Sequence, residues 1–416
     1  MSYSSSQAAF KTRRPKIWWS NGIFFVGAHV AAAMGMYYRP FYAVPRATLV
    51  LAFVLWQLAE FGVTIGYHRL WSHRAFRAAP GVRIVLAVLG SSAFQGSIKW
   101  WCLRHRLHHR FTDDPVHDPY SATRGLLFSH VGWIFFKPVY EKMSLVDRED
   151  LENDPGKSPS AAHKTSFMLN TIYLALGLGL GFPTLLGALW GDALGAFIWA
   201  GLTARLLIWH CTFLVNSLAH WDGLQPYSDD NTSRGNFILA VLTAGEGNHN
   251  FHAFPHDFRS GPSWLDWDPS KWIILALHRM GLVYSLRTAK GVDIEEAREY
   301  MKGHHHSHHE SIPEEDEENW KWEKGLWSKD DVQRYISERP ERCVLLVGGY
   351  LSDATGYMKE HPGGSVLLRE YSIRPHKSDE KETWRDASWA FDGGLNNHSR
   401  AAKKRLAELR IAKLIA

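Results

Sequence analysis

Apolar residues along this chain gather into four long runs, at about 18–38, 47–66, 166–190 and 193–216, separated by polar stretches. Each run approaches the roughly 20 residues that a helix needs to cross the hydrocarbon of a bilayer. The pattern therefore predicts four membrane-spanning helices rather than the buried helices of a large soluble protein. Trp18 and Trp19 stand at one end of the first run and Tyr37 and Tyr38 at the other, where interfacial aromatic belts lie. Lys11, Arg13, Arg14 and Lys16 precede it and predict a cytosolic N-terminus. No short apolar region with a small-residue cleavage site opens the chain, so no cleaved signal peptide is expected. Four crossings return the chain to its starting side, with turns at about 39–46 and 191–192 on the far side. Both termini, 67–165 and everything after 216 then share the cytosolic face.

A weaker apolar stretch, about 82–98, is interrupted by Gly90, Ser91, Ser92 and Gly96 and reads as a re-entrant or interfacial helix. Beyond residue 300 the pattern changes. HHHSHH at 304–309 and the acidic residues Glu310, Glu314, Glu315, Asp316, Glu317 and Glu318 offer too little apolar surface to fold alone. The expected organisation is a cytosolic segment 1–17, a membrane domain 18–300 with a cytosolic helical cap, a solvated linker 301–324 and a small α+β domain 325–416. The fold class is mainly α.

Composition adds one unusual fact: the 416 residues include 23 histidines, many in tight clusters. The three cysteines, Cys102, Cys211 and Cys343, show no paired spacing, which removes a disulfide framework or a thiolate metal site. A net charge of +5, with no basic stretch interleaved with aromatics, gives no sign of nucleic-acid binding.

The histidines are placed with respect to the apolar runs. HRLWSH puts His68 and His73 just after the second run, and HRLHH gives His105, His108 and His109, the first two one helical turn apart. NSLAH carries Asn216 and His220 at the end of the last run, and GEGNHNFHAFP supplies His249 and His252. All lie on the predicted common side, where helix ends can converge. A crossing at 82–98 would part the clusters by a membrane, which argues against a fifth span. Imidazole-rich sites suit iron, zinc or copper rather than magnesium or calcium.

These four motifs closely resemble the histidine boxes of the animal and fungal acyl-CoA delta-9 desaturases, over about residues 20–285. The resemblance implies a diiron centre held by His68, His73, His105, His108, His109, His220, His249 and His252, with Asn216 acting through a water molecule. It implies insertion of a cis double bond into a saturated acyl-CoA such as stearoyl- or palmitoyl-CoA, with dioxygen reduced to water. Abstracting hydrogen from an unactivated methylene is beyond any side-chain acid or base and needs such a metal–oxygen oxidant. By the same resemblance Gln95, Trp101, Lys137 and Thr212 occupy substrate-lining or CoA-facing positions. One departure stands out. The family's third box ends in two adjacent histidines before FP, whereas here His252 is followed by Ala253, Phe254 and Pro255, leaving eight of nine ligands. His256 would substitute only if that segment were helical.

The C-terminal segment resembles cytochrome b5. WSKDDVQRYI matches its start, EHPGG at 360–364 its first haem loop and GGLNNHSRAAKKRLAEL its second, which implies haem b with axial ligands His361 and His398. The separation of these two exceeds that of a compact cytochrome b5, and the excess falls in the polar stretch 372–382. Two imidazoles fill both axial positions and restrict the iron to electron transfer. The combination implies an endoplasmic-reticulum enzyme fed from NADH by cytochrome b5 reductase. A membrane fatty acyl hydroxylase, or a relative impaired by the missing ligand and kept as a regulator, are the competing expectations.

Overall fold

The computed structural model describes residues 15–152, 172–306, 325–358, 360–361, 363–374, 384–393, 398 and 400–415. Helices occupy all four apolar runs. Helix α1 is Trp19–Tyr38, and α2 runs without interruption over Arg46–Ser72, its last part, Gly62–Ser72, wound as a π-helix. Helix α3 is Pro80–Ser91 and α4 is Ile98–Arg110. Helices α5, Ile172–Ala188, and α6, Ala193–His220, form a hairpin. Proline at the first position starts α3, where no amide needs a partner. Ser97 caps α4 by accepting from the Trp100 amide.

Two of these helices, α2 and α6, are long and apolar enough to cross a membrane. The other two expected spans fall short in different ways. Helix α1 has the length, 20 residues, but Ser20, Asn21 and His29 dilute it. The described part of α5 is short, and 166–171 lie outside the described residues. Helix α3, at 12 residues, is too short to cross, as expected of the 82–98 stretch. The exposed faces of these helices are apolar: Phe24 and Val30 on α1, Val50 and Phe53 on α2, Leu185 on α5 and Leu207 on α6.

At the far side the hairpin tips are tied by buried Asp192, which pairs with Arg39, accepts from Thr48 Oγ1 at 2.7 Å and caps α6 at the Gly195 amide. At the near side α3 lies against the π-helical end of α2. Contact there is so close that a Cβ on Gly62 would stand 2.3 Å from the Gly90 amide nitrogen, and one on Gly90 2.5 Å from the Tyr67 ring. Gly62→Ala is therefore expected to cost about 1–3 kcal/mol, the range for overpacking, read as earlier thermal unfolding in detergent.

The cap is built from α4, the loops 111–152 and 221–268, helix α7 (Pro269–Arg279) and a two-stranded ribbon of β1 (Arg77–Ala78) with β2 (Val283–Tyr284). Helix α8, Gly291–His306, carries the chain past residue 300 with Met301 buried, so the helical part extends into the stretch read as linker. The rest of that stretch, 307–324, lies outside the described residues.

The last segment forms a sheet of β3 (Leu326–Trp327), β4 (Val344–Val347), β5 (Tyr350–Asp353) and β6 (Arg410–Leu414) in the order β3-β6-β5-β4. Helix α9, Lys329–Glu338, opens with a capping box between Ser328 and Asp331 and buries Val332 and Ile336 against Val344, Leu351 and Ala412. This core is separate from the one around Tyr67 and Leu107.

Candidate metal centre

Because α2 continues through its polar end, His68 is carried on the helix itself, and His73 follows one residue after its last turn. Helix α4 presents His105, His108 and His109, α6 ends on His220, and a 3-10 turn, His249–Ala253, brings His249 and His252 underneath. The eight imidazoles meet in two adjoining groups. His68, His73, His105, His109 and His252 form one, and His108, His220 and His249 the other, with ligand atoms in each lying within 4.8 Å of one another. His249 and His252, with ring centroids 5.0 Å apart, stand where the groups adjoin.

The larger group has the spacing of a coordination sphere. His73 Nε2 lies 3.0 Å from His68 Nε2 and 2.8 Å from His105 Nε2. His105 and His109 are 3.1 Å apart at Nε2, and His252 and His68 2.9 Å. Two nitrogens bound at right angles, each about 2.1 Å from one ion, would be about 3.0 Å apart. In the smaller group His220 Nε2 and His249 Nδ1 are buried with no hydrogen-bond partner among the described residues, as nitrogens reserved for a cation would be.

Neighbours fix which nitrogen faces inward. His108 Nδ1–H donates to Asp118 Oδ1 at 2.8 Å, and His220 Nδ1–H to Thr232 Oγ1 at 2.9 Å, while Thr232 donates to Asp113. His68 Nδ1 lies 3.2 Å from Glu246 Oε1. The Asp118 and Thr232 bonds hold ring and tautomer so that the other nitrogen points its lone pair at a metal, while Glu246 sets a carboxylate beside the His68 ring. Burial, followed by the charge of their neighbours, pushes His73, His105, His109, His249 and His252 well below the ordinary histidine range. They are neutral and able to ligate at neutral pH. Burial alone would also lower His108, but the Asp118 carboxylate more than reverses it. The Glu246 carboxyl, which burial would raise, is held down to about 2 by Arg69 and His68.

Of the other expected site residues, Asn216 is half-buried on the last α-helical turn of α6. Gln95, Trp101 and Thr212 come together: Gln95 donates to Thr212 Oγ1 at 2.5 Å, the Trp101 indole donates to Gln95 Oε1 at 3.0 Å, and Trp101 stacks on His105 at 4.8 Å. Lys137 is exposed, its amide bonded to the Lys16 carbonyl at the start of α1. His256 belongs to neither group. The 3-10 turn ends before it, and its Nδ1 donates to the His73 carbonyl at 2.7 Å. In the last segment the His361 and His398 rings face each other with centroids 6.3 Å apart.

Sequence reasoning missed Glu246, Asp118, Asp113 and Thr232. It also missed the His29–His210–His130 chain, linked at 2.9 and 3.0 Å, that ties α1 and α6 to the short helix Leu126–His130. GEGNHN and DDPVHDP hold the missed acids in plain sight, close to histidines.

Comparison with known proteins agrees with this architecture. The profile of the fatty acid desaturase family matches residues 41–258. "Probable acyl-CoA desaturase" of Schizosaccharomyces pombe is 34% identical over 95% of this chain and 77% of its own length. Acyl-CoA desaturase 1 of Saccharomyces cerevisiae is 35% identical over 95% of this chain and 73% of its length. Stearoyl-CoA desaturase 5 of Homo sapiens is 34% identical over 67% of this chain and 83% of its length. The chain belongs to the fatty acid desaturase family.

Proposed function

We propose that this protein is an acyl-CoA desaturase that places a cis double bond at the delta-9 position of stearoyl- or palmitoyl-CoA, using dioxygen and electrons from NADH. The observation that carries this reading is the gathering of eight imidazoles from four chain segments into two adjoining groups beneath apolar helices. His68, His73, His105, His109 and His252 would hold one iron. His108, His220 and His249, with Asn216 through a water molecule, would hold the other. When bound, the iron pair supplies the activation of dioxygen that removal of two hydrogens from unactivated methylenes requires.

The chain's own groups do the rest. Asp118, Thr232 and Glu246 keep the imidazoles oriented. Gln95, Trp101 and Thr212, bonded to one another beside His105, form a wall against which an acyl chain is positioned and water excluded. Lys137 offers a cation to the phosphates of CoA. The apolar outer faces of α1, α2, α5 and α6 suit a bilayer, with four crossings, both termini cytosolic and the endoplasmic reticulum as the location.

The last segment fits haem b, and we read 325–416 as a cytochrome b5 domain. Two imidazoles bound about 2.0–2.1 Å on either side of one iron would put their ring centroids about 6.4 Å apart, close to the 6.3 Å between His361 and His398. Each ring turns Nδ1 to a backbone carbonyl, that of Gly364 at 2.7 Å and of Phe391 at 2.9 Å, the arrangement that aims Nε2 at a metal. Electrons would reach this haem from a cytochrome b5 reductase.

The test is expression in a yeast strain unable to make unsaturated fatty acids, with products read by gas chromatography. Growth and a delta-9 olefin are expected, and His105→Ala or His249→Ala should abolish both. A hydroxy fatty acid in place of the olefin would replace this reading with a hydroxylase.

A further inference from the structure

The C-terminal unit is seated on the cap at two places, and one of them lies directly against the histidine centre. Gly364, at φ +79°, is so close to the cap that a Cβ on it would be 2.4 Å from Asp147 Cβ. A Cβ on Gly363 would be 3.1 Å from Arg110 Nη1. Asp147 in turn pairs with Arg74 at 3.2 Å. Arg74 and Arg110 are the residues immediately after His73 and His109, so Gly363 and Gly364 rest beside the chain neighbours of two imidazoles of the larger group. His256 adds a third contact: its Nδ1 donates to the His73 carbonyl at 2.7 Å, while the Glu360 backbone, next to His361, lies beside the ring with no hydrogen bond to it from Nε2. The second place is on α8, where Lys404 pairs with Glu296 and the Arg400 guanidinium lies 3.6 Å over the Tyr300 ring.

We propose that this seated arrangement is the electron-delivery complex, and that His256 is a positioning residue coupling the His361 loop to the His73 edge of the metal centre. The inference rests on the diiron and haem reading given above. Covalent and hydrogen-bonded links couple donor and acceptor better than gaps do. Two paths run from the loop, each with a single through-space step: His361 to Gly364, across packing contact to Asp147, then by ion pair to Arg74 and along the chain to His73; and Glu360 across to the His256 ring, then by hydrogen bond to the His73 carbonyl. In each transfer a ferrous haem is oxidised to ferric, and one electron passes to a ferric iron of the pair, which becomes ferrous. Two electrons, two protons, one dioxygen and one –CH2–CH2– unit then balance to –CH=CH– and two waters. The source of electrons is an NADH-dependent flavoprotein reductase.

The test uses the full-length protein loaded with haem and iron. A carbodiimide, which joins only groups in contact, is expected to link Lys404 to Glu296, read by peptide mass spectrometry. Haem reduced by dithionite and mixed with stearoyl-CoA and dioxygen should reoxidise at least tenfold more slowly in His256→Phe. His256→Gln, which keeps a donor for the His73 carbonyl, should recover most of the rate, and iron content and haem spectrum should match the parent in both. No Lys404–Glu296 link, or reoxidation in His256→Phe as fast as in the parent, would overturn the proposal. A parent lacking the haem absorption or the iron would instead overturn the reading beneath it.

Discussion

Glu246→Ala is expected to destabilise the protein by about 3–5 kcal/mol, the cost of breaking a buried ion pair from one side, and to weaken iron binding about 10–100-fold. The carboxylate is buried, with Oε1 2.9 Å from the Arg69 guanidinium and 3.2 Å from His68 Nδ1. Arg69 is as deeply enclosed, and its other partners are Asp268 and the carbonyls of Phe258 and Gly245. Removing Glu246 leaves the guanidinium short of one acceptor and releases His68, the imidazole through which α2 enters the centre. Glu246→Gln preserves the shape and separates the two effects, keeping part of the iron while losing most of the ion-pair stability. The pH dependence has a definite sign. Glu246 is depressed from an ordinary 4.5 to about 2, so its contribution is complete above pH 4.5 and is lost as the pH falls through about 2. Thermal unfolding in detergent from pH 7 downward, with metal analysis of the same samples, checks both statements. Unfolding and iron content unchanged in Glu246→Ala would refute them.

The imidazoles were legible in the sequence because each box is local: HRLWSH, HRLHH and HNFH declare themselves within a few positions, and their placement after apolar runs forecasts convergence. The groups that orient them were not: Asp118 and Thr232 stand only 10 and 12 positions from His108 and His220 without any periodic signal that pairs them, and the others act at long range. Glu246 lies 177 positions from Arg69, and Asp113 meets Thr232 across 119. Helix position was legible and helix length was not. Hydropathy finds where apolar residues stop, near 66 and 216, but backbone hydrogen bonding carries α2 to Ser72 and α6 to His220, and those polar extensions bring in His68 and His220. The same limit applies after residue 300, where composition marked a linker but α8 persists to His306. Gln95, Trp101 and Thr212 were named from resemblance alone, and that they bond to one another is seen only in the structure. No periodicity in the sequence joins a residue between α3 and α4 to one on α6.

A histidine inserted between His252 and Ala253 is expected to raise the iron retained after mild chelation from about one to about two per chain, since each neutral imidazole gained adds directly to metal affinity. The geometry says where the missing ligand is felt. His252 Nε2 is 2.9 Å from His68 Nε2, so the one histidine left at that end of the box is committed to the larger group. The smaller group is left with His108, His220 and His249, and with whatever Asn216 holds through water. His256 does not compensate: it stands outside both groups, with Nδ1 spent on the His73 carbonyl. An iron with three imidazoles and open positions binds solvent and exchanges faster than one enclosed by five. The second site should therefore empty first, and turnover should fall with it while the first site stays filled. In the insertion variant one of two adjacent imidazoles can stay with His68 while the other turns toward His249, whose ring centroid is already 5.0 Å from that of His252. Metal analysis across a chelator series, run beside yeast complementation with both versions, separates the outcomes. Equal iron retention and equal growth would mean that three imidazoles hold the second iron as well as four, and that the shortened box carries no penalty.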